Sequence, residues 1–414
     1  MSGCLLSKSR GCGYNQRSVA IDLFAFYSKC LVPLTPAPAV TRMLQAVMSG
    51  GETTEDFSSV LGLDSELQHW IRLTVQRLGF DRRVTKLDQM VTLLGQNRVR
   101  DLIIGRNIER AFVSPADTVL GKMKAKADKD KSGAGDPSKK APAGKKPDAP
   151  EISAEEAAAQ EVIPGLADFQ IYLNCANRAE EIAIAIRNSY PGSAFAAGVL
   201  YDYARCFLMG QKLKGLNDKR LVKVEAYAEE VFLDGLRCGI ASHEIIQKIS
   251  VPHQKSVFAA AMLHNIGKLM LLAYDPPVFE KAFLASTGST DKSKKMDSVE
   301  AESTQFDFDH AQAGALLLGR IPLFQDIEKA VDYHHQPALL RFSNPKLYAL
   351  SCLLRVSGAL AKLYQAYRTK ETDIDRLPDS RITQSKEYLF LKLDPADWSE
   401  IKGNYALKLM KTGL

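Results

Sequence analysis

Apolar positions in the N-terminal part of the chain recur at helical spacing, and no alternating strand pattern of useful length interrupts them. Gly50-Gly51 ends one predicted helix, and Gly95 separates two later ones. The apolar faces comprise Val40, Met43, Leu44 and Val47, followed by Leu67, Ile71, Leu73, Val75 and Leu78. This pattern predicts an all-α fold whose first lobe is a helical unit over residues 33–113, preceded by an extension at 1–32.

The most apolar stretch covers residues 256–272, SVFAAAMLHNIGKLMLL. Its only polar residues are Ser256, His264, Asn265 and Lys268. A helix that is apolar on nearly all sides belongs in a protein core. Three polar groups in its middle argue against a membrane span, which needs about 20 mostly apolar residues. We therefore predict a single core helix here and no contact with a membrane.

The formal charge of +6 is concentrated in one segment. Nine lysines and four aspartates lie between Lys122 and Pro150, so the rest of the chain is close to neutral. The segment is rich in Lys, Ala, Pro and Gly and contains no aromatic residue, which predicts a disordered linker over 114–163. Specific nucleic-acid binding is not expected, although weak polyanion contact stays an alternative. Ser153 and Glu156 have the spacing of a capping box within the linker.

Seven cysteines are scattered along the chain without a C-x-x-C pair: Cys4, Cys12, Cys30, Cys175, Cys206, Cys238 and Cys352. No secretory hydrophobic segment precedes them. Both observations favour a reduced, cytoplasmic location.

Residues 193–208 align without gaps on residues 256–271, with six identities in 16 positions. Tyr201-Asp202 in the first segment stands where His264-Asn265 stands in the second. Two readings stay open: two Ala-rich core helices that are merely alike, or a degenerate repeat over 164–215. The second reading makes Tyr201 and Asp202, with Lys268, candidate pocket residues. The core domain is then predicted at 216–368.

Three further histidines follow the core segment. Asp309 or Asp307 can cap a helix that begins near His310, and Gly314 allows another helix to approach it closely. A second helix is predicted to begin at Pro322 and to end in His334-His335.

A C-terminal extension over 369–414 is predicted to end in an amphipathic helix capped by Asp394 or Asp397. Its apolar side consists of Trp398, Ile401, Tyr405 and Leu409. Packing into the core is the usual role of such a stripe, and a partner-binding helix is the alternative.

The phrase HNIGK at 264–268 resembles the signature of the HD phosphohydrolase superfamily. In that superfamily a His-Asp pair ligates a divalent metal, which activates water for phosphate-ester hydrolysis. The phrase LLG-x-x-x-V-R-x-L at 93–102, H-A-x-x-G-A-x-L from His310 and the final His334-His335 resemble the HDOD domain, the HD-related output domain of bacterial signalling proteins. The resemblance implies that His264, His310, His334 and His335 surround a common pocket.

The ligand set that the resemblance implies is incomplete. Asn265 replaces the central Asp, and an amide brings a metal one oxygen and no charge. The upstream helix has no His near Tyr227, and Ser357 or Gly358 stands where a downstream Asp would be. A metal held by neutral imidazoles alone would lack charge compensation. We therefore expect no cofactor beyond an adventitious divalent transition metal.

The resemblance thus implies a non-catalytic signalling protein that acts through contacts of its HDOD domain with partner proteins. Sensor kinases and cyclic-nucleotide enzymes are the expected partners. The alternative is a metal-dependent HD-type phosphohydrolase with an atypical ligand set.

Overall fold

The computed structural model describes residues 54–62, 65–77, 84–112, 174–211, 218–249, 254–287, 296–367 and 377–414. Predictions for the 1–32 extension, the helix near 40–47, the 114–163 linker and its capping box lie outside these ranges. The described residues form α-helices and short 3₁₀ turns, without a strand among them, which confirms the all-α prediction. The domain division predicted from the sequence stays a prediction.

The α-helices of the described ranges fall into three groups along the chain. The N-terminal group is α1 Thr54–Leu61, α2 Ser65–Arg77, α3 Leu87–Leu94 and α4 Gln96–Phe112. The central group is α5 Asn174–Ala185, α6 Pro191–Gln211, α7 Asp218–Ile246, α8 Val257–Leu263, α9 Gly267–Tyr274, α10 Pro276–Thr287, α11 Ser298–Phe306, α12 His310–Leu318 and α13 Glu328–Asp332. The C-terminal group is α14 Pro345–Tyr367, α15 Ser380–Thr383, α16 Lys386–Leu391 and α17 Pro395–Thr412.

The N-terminal helices join the central group through contacts between α4 and α6. Gly95 separates α3 from α4 as predicted, and its φ of 80° is a conformation that favours glycine. On α4, the Arg100 guanidinium lies 5.0 Å from the ring centre of Phe195 on α6. Arg100 also pairs with Glu180 on α5, at 3.1 Å between nitrogen and oxygen. The two groups of helices therefore share one continuous core.

Helices α8 and α9 lie at the centre of the core, and they contact α6, α7, α12 and α14. Two described segments, Val257–Tyr274 and Pro345–Tyr367, are long and apolar enough to cross a bilayer. Within their apolar windows, however, 94% and 67% of the residues are buried inside the fold. Both segments therefore act as core helices here.

The single core helix predicted over 256–272 is divided at His264–Ile266, which corrects that prediction. The amide of Ile266 donates to the Leu263 carbonyl at 2.9 Å, and that of Lys268 donates to Asn265 at 3.0 Å. These are 3₁₀-type bonds, which join residues three apart in the chain, whereas α-helical bonds join residues four apart. The Met262 carbonyl, which a regular helix would pair with Ile266, accepts the Tyr201 hydroxyl at 2.7 Å instead. The divided helix therefore depends on a side chain from α6.

We expect Tyr201→Phe to lower the free energy of unfolding by about 1 to 3 kcal/mol, because it leaves the buried Met262 carbonyl without a donor. Tyr405→Phe is the matched control, since the Tyr405 hydroxyl is buried without a partner among the described residues. Urea titration of both variants measures the difference. An effect of Tyr405→Phe as large as that of Tyr201→Phe would contradict the assignment of the cost to the carbonyl.

The C-terminal helix α17 packs its predicted apolar side on the core. Asp394 caps it, and the Asp394 carboxylate accepts the Asp397 amide at 2.7 Å. The predicted stripe is buried along its whole length: Trp398, Ile401, Tyr405 and Leu409. Helix α17 contacts α7, so the core-packing role holds for this face.

Candidate metal centre

The structure brings all four predicted histidines together. The ring centres of His264 and His334 are 5.2 Å apart, and those of His310 and His334 are 5.5 Å apart. His335 completes the group, with its ring centre 4.9 Å from that of His310. We call these four residues the histidine cluster. Its members come from the turn between α8 and α9, the start of α12 and the turn after α13.

His310 is placed by the start of α12. Asp309, one of the two predicted caps, forms a full capping box with Gln312. Asp307 instead ends α11 in the left-handed region, with φ of 65°. The close helix approach predicted for Gly314 is present: a Cβ built on Gly314 would lie 3.3 Å from the Gly267 amide nitrogen. The first residue of α12 is thereby held against the first residue of α9.

His334 and His335 lie in a turn, not at the end of a long helix beginning at Pro322 as predicted. Pro322 opens a 3₁₀ turn that covers Pro322–Phe324, and α13 is only five residues long. The His334 side chain ends α13 locally, because its Nδ1 is 2.6 Å from the Val331 carbonyl that a longer helix would use. The turn lets two consecutive imidazoles enter the same cluster.

The partners of the Nδ1 atoms fix the tautomers of three histidines. Nδ1 of His264 lies 2.7 Å from the Ala261 carbonyl, so it must carry the proton, as must Nδ1 of His334. Nδ1 of His310 lies 2.6 Å from Oε2 of Glu302 and donates to it. Nε2 of each ring is then an unprotonated nitrogen.

Burial keeps these rings neutral. It lowers the pKa of His264 to about 4, and it holds the pKa of His310 and of His334 well below the usual value. Nε2 of His334 is buried and has no hydrogen-bond partner among the described residues. A buried nitrogen lone pair without a partner is costly unless something else occupies the site.

The residues fit a divalent transition metal. Nitrogens of His310, His334 and His335 all lie within 4.8 Å of one another. Neutral imidazoles suit zinc, copper or nickel better than magnesium or calcium, which prefer oxygen ligands. An ion bound there would supply Lewis acidity and would lower the pKa of a bound water.

Two carboxylates beside the cluster were missed from the sequence. Glu302 on α11 contacts His310, and burial raises the pKa of Glu302 to about 7. Asp234 on α7 accepts the Asn265 side-chain amide at 2.7 Å. Burial acts to raise the pKa of Asp234, but nearby His264, Lys268, Lys362 and the bond from Asn265 bring it below the usual value.

Both omissions have a traceable cause. Glu302 belongs to a largely polar stretch, and its position eight residues before His310 is what links it to the site. Asp234 lies on the helix where an upstream histidine was sought, two turns after Tyr227. Spacing along that helix was the signal that could have found it.

The position predicted to replace the downstream Asp does face the cluster. A Cβ built on Gly358 of α14 would lie 3.7 Å from Nε2 of His264. The neighbouring Ser357 hydroxyl is buried and unpartnered within the described ranges. Helix α14 therefore approaches His264 without contributing a carboxylate.

The three predicted pocket residues lie in different places. Lys268 lines a cleft of about 370 Å³ together with Tyr227, Lys362 and Glu302. Tyr201 is fully buried against Met262 and does not line that cleft. The two carboxylate oxygens of Asp202 accept the amides of Cys175 and Ala176 at the start of α5, both at 3.0 Å. Asp202 thus stabilises a helix terminus away from the cluster.

The HDOD domain family model matches residues 205–337. Two solved structures are similar over nearly the whole chain. One is a protein from Shewanella amazonensis SB2B named as a candidate phosphohydrolase, which is 16% identical in sequence. The alignment covers 96% of this chain and 98% of the Shewanella chain, with a TM-score of 0.35. The other is an HDOD domain protein with unknown function from Geobacter sulfurreducens, which is 14% identical. Its alignment covers 94% of this chain and 98% of the Geobacter chain, with a TM-score of 0.38.

Likenesses this distant carry no argument about the site. No curated protein matches the chain significantly. The family match, in contrast, spans all four histidines together with Asp234 and Glu302. Residues 205–337 of this chain, including the complete histidine cluster, therefore match the HDOD domain family model.

Proposed function

We propose that the protein is a non-catalytic signalling protein whose HDOD domain acts through contacts with partner proteins. One observation carries the proposal: among the described residues, the group whose ligand atoms lie close enough to hold a metal together consists of three imidazoles, His310, His334 and His335, and includes no carboxylate. The Asn265 side-chain amide donates to Oδ2 of Asp234, so this carboxylate oxygen is engaged by a neutral amide. The HD-type ligand set that the resemblance implies contains a carboxylate, so a set of imidazoles alone departs from it, which supports the proposal.

An exposed aromatic residue just before α14 supports contact with a partner. Phe342, between Pro337–Leu340 and α14, has 91% of its surface exposed, and the Arg341 guanidinium lies 5.6 Å from its ring centre. Aromatic and arginine side chains are enriched at the energetic centres of protein interfaces. This feature supports a protein partner, with sensor kinases and cyclic-nucleotide enzymes as the classes we propose from the family resemblance.

The second candidate is an HD-type phosphohydrolase with an unusual ligand set. It is favoured by three imidazole nitrogens within 4.8 Å and by the adjacent Glu302, whose pKa of about 7 suits proton transfer. In this candidate His264 and His310 would help hold the metal, and Lys268 would contact the substrate.

Turnover separates the two candidates. We expect the full chain to hydrolyse neither phosphodiesters nor nucleotide monophosphates with Mn²⁺, Mg²⁺, Fe²⁺ or Ni²⁺. We also expect Asn265→Asp alone to leave it inactive, because the upstream histidine and the carboxylate at Gly358 remain absent. The matched control is His264→Ala, measured in the same preparation. Turnover that His264→Ala abolishes would overturn the non-catalytic proposal in favour of the second candidate.

A further inference from the structure

Glu302 holds His310 by two hydrogen bonds from a single carboxylate oxygen. Oε2 accepts the backbone amide of His310 at 2.8 Å and its ring Nδ1 at 2.6 Å. The Glu302 side chain is buried, with 6% of its surface exposed, and the His310 side chain has 1%. The backbone bond fixes the carboxylate at the start of α12, and the bond to Nδ1 restrains the rotation of the imidazole.

The bond to Glu302 also determines which nitrogen of His310 faces the cluster unprotonated. Nε2 of His310 lies 3.0 Å from Nε2 of His335, so one hydrogen lies between the two nitrogens. Since Nδ1 of His310 carries its own proton, the shared hydrogen belongs to His335. Nε2 of His310 is thus a hydrogen-bond acceptor, and Nε2 of His335 donates to it in the metal-free protein.

A cation entering the cluster has to break this contact. The His335 proton would leave Nε2 for solvent and a proton would return to Nδ1, so the ring changes tautomer without changing charge. The partly exposed His335 ring permits this exchange, whereas the fully buried His310 ring does not need it. The carboxylate of Glu302 additionally offsets part of the charge that a divalent ion brings.

We propose that Glu302 is the positioning residue that fixes His310 as a metal ligand, so that it sets the affinity of the His310, His334 and His335 nitrogens for a cation of the zinc and nickel class. This inference goes beyond the proposed function, which assigns the cluster no ion. Glu302 itself touches no ion in this arrangement, and it acts only through His310.

The test measures affinity of the full chain for Zn²⁺ and Ni²⁺ by competition with a chromogenic chelator. Glu302→Gln keeps the side-chain shape and removes the charge, and we expect it to weaken binding by about 10- to 100-fold. Glu300→Gln is the matched control, because Glu300 lies exposed on the same helix two residues earlier. We expect that control to bind as the unmodified protein does. Thermal unfolding of each variant verifies that the fold is retained.

Nitrogen NMR of the histidine rings gives a second readout that a merely structural role would not move. In the metal-free protein we expect His310 protonated at Nδ1 and His335 protonated at Nε2, with His335 changing tautomer when Zn²⁺ is added. This measurement on the unmodified chain stays decisive even where Glu302→Gln does not fold. His310 protonated at Nε2 in the metal-free protein would overturn the proposal.

The remaining outcomes are equally distinct. Unchanged metal affinity in Glu302→Gln would show that Glu302 does not position His310 as a ligand. Absence of Zn²⁺ and Ni²⁺ binding by the unmodified chain would overturn the metal assignment. Neither result bears on turnover, so the non-catalytic proposal would stand. Conversely, the chain could hydrolyse phosphate esters while Glu302→Gln still weakens metal binding. That result would overturn only the proposed function.

Discussion

Gly267→Ala should lower the free energy of unfolding by about 3 kcal/mol or more, at the upper end of the range for overpacked cores. A Cβ built on Gly267 would lie 1.9 Å from the His310 carbonyl oxygen and 2.5 Å from the Gly314 amide nitrogen. Both are backbone atoms, so no side chain can move aside. Helices α9 and α12 would have to separate, and His310 would move with α12.

Two other glycines calibrate this effect. Gly314→Ala should cost less, because its nearest new contact would be 3.3 Å. Gly403→Ala, within α17 with nothing within 4 Å, should stabilise the protein by up to about 1 kcal/mol. Urea titrations of the three variants give the order directly. Equal stability of Gly267→Ala and Gly403→Ala would mean that α9 and α12 do not meet as described.

Asn265→Asp should be the most pH-sensitive substitution in the core. It replaces an amide donor by a second carboxylate, 2.7 Å from Oδ2 of the partly buried Asp234. At pH 7 we expect a loss of about 2 to 4 kcal/mol in free energy of unfolding, since two like charges at this distance cannot both be accommodated. Urea titration with a chelator present measures it without interference from metal.

The sign of the pH dependence follows from the pair. Repulsion raises the pKa of one carboxyl in the folded variant above its value in the unfolded chain. The loss in free energy of unfolding is therefore largest at pH values above that raised pKa. It becomes smaller as the pH falls, because one proton then binds between the two carboxyl groups. A loss that grows between pH 7 and pH 5 relative to the unmodified chain would contradict this account.

The double variant Asp234→Asn with Asn265→Asp supplies the control. It exchanges donor and acceptor across the same contact, so most of the stability at pH 7 should return. Failure of the exchange to restore stability would show that the charge of Asp234 is required by its other neighbours, His264, Lys268 and Lys362.

Much of this arrangement could be predicted from the sequence because it rests on local signals. Helical spacing indicated an all-α fold, and Gly95 and Asp394 marked helix ends correctly. The motifs around His264, His310 and His334 indicated a common site, and the structure brings these residues together. In each case the physical signal lies within a few residues of the feature that it predicts.

What the sequence could not give depends on contacts between distant segments. Glu302 looks like any exposed helical acid until α11 packs beside the start of α12. The division of the core helix is equally hidden, since apolar residues continue on both sides of His264–Ile266 and the Tyr201 hydroxyl that pairs with the free carbonyl comes from a distant segment. Asp202 resembled a site residue because of an aligned phrase, yet its carboxylate serves the start of α5.

The bond between Tyr201 and Met262 also imposes an order in time. Its two partners are 61 residues apart in the chain, and Asn265 and Asp234, which also contact each other, are 31 residues apart. Contacts at such separations form only after the intervening chain has been closed into a loop, which costs entropy before any gain is received. The turn that carries His264 cannot be fully satisfied until α6 and α7 have docked. We therefore expect the histidine cluster to be completed late in folding, after the helices that surround it have formed.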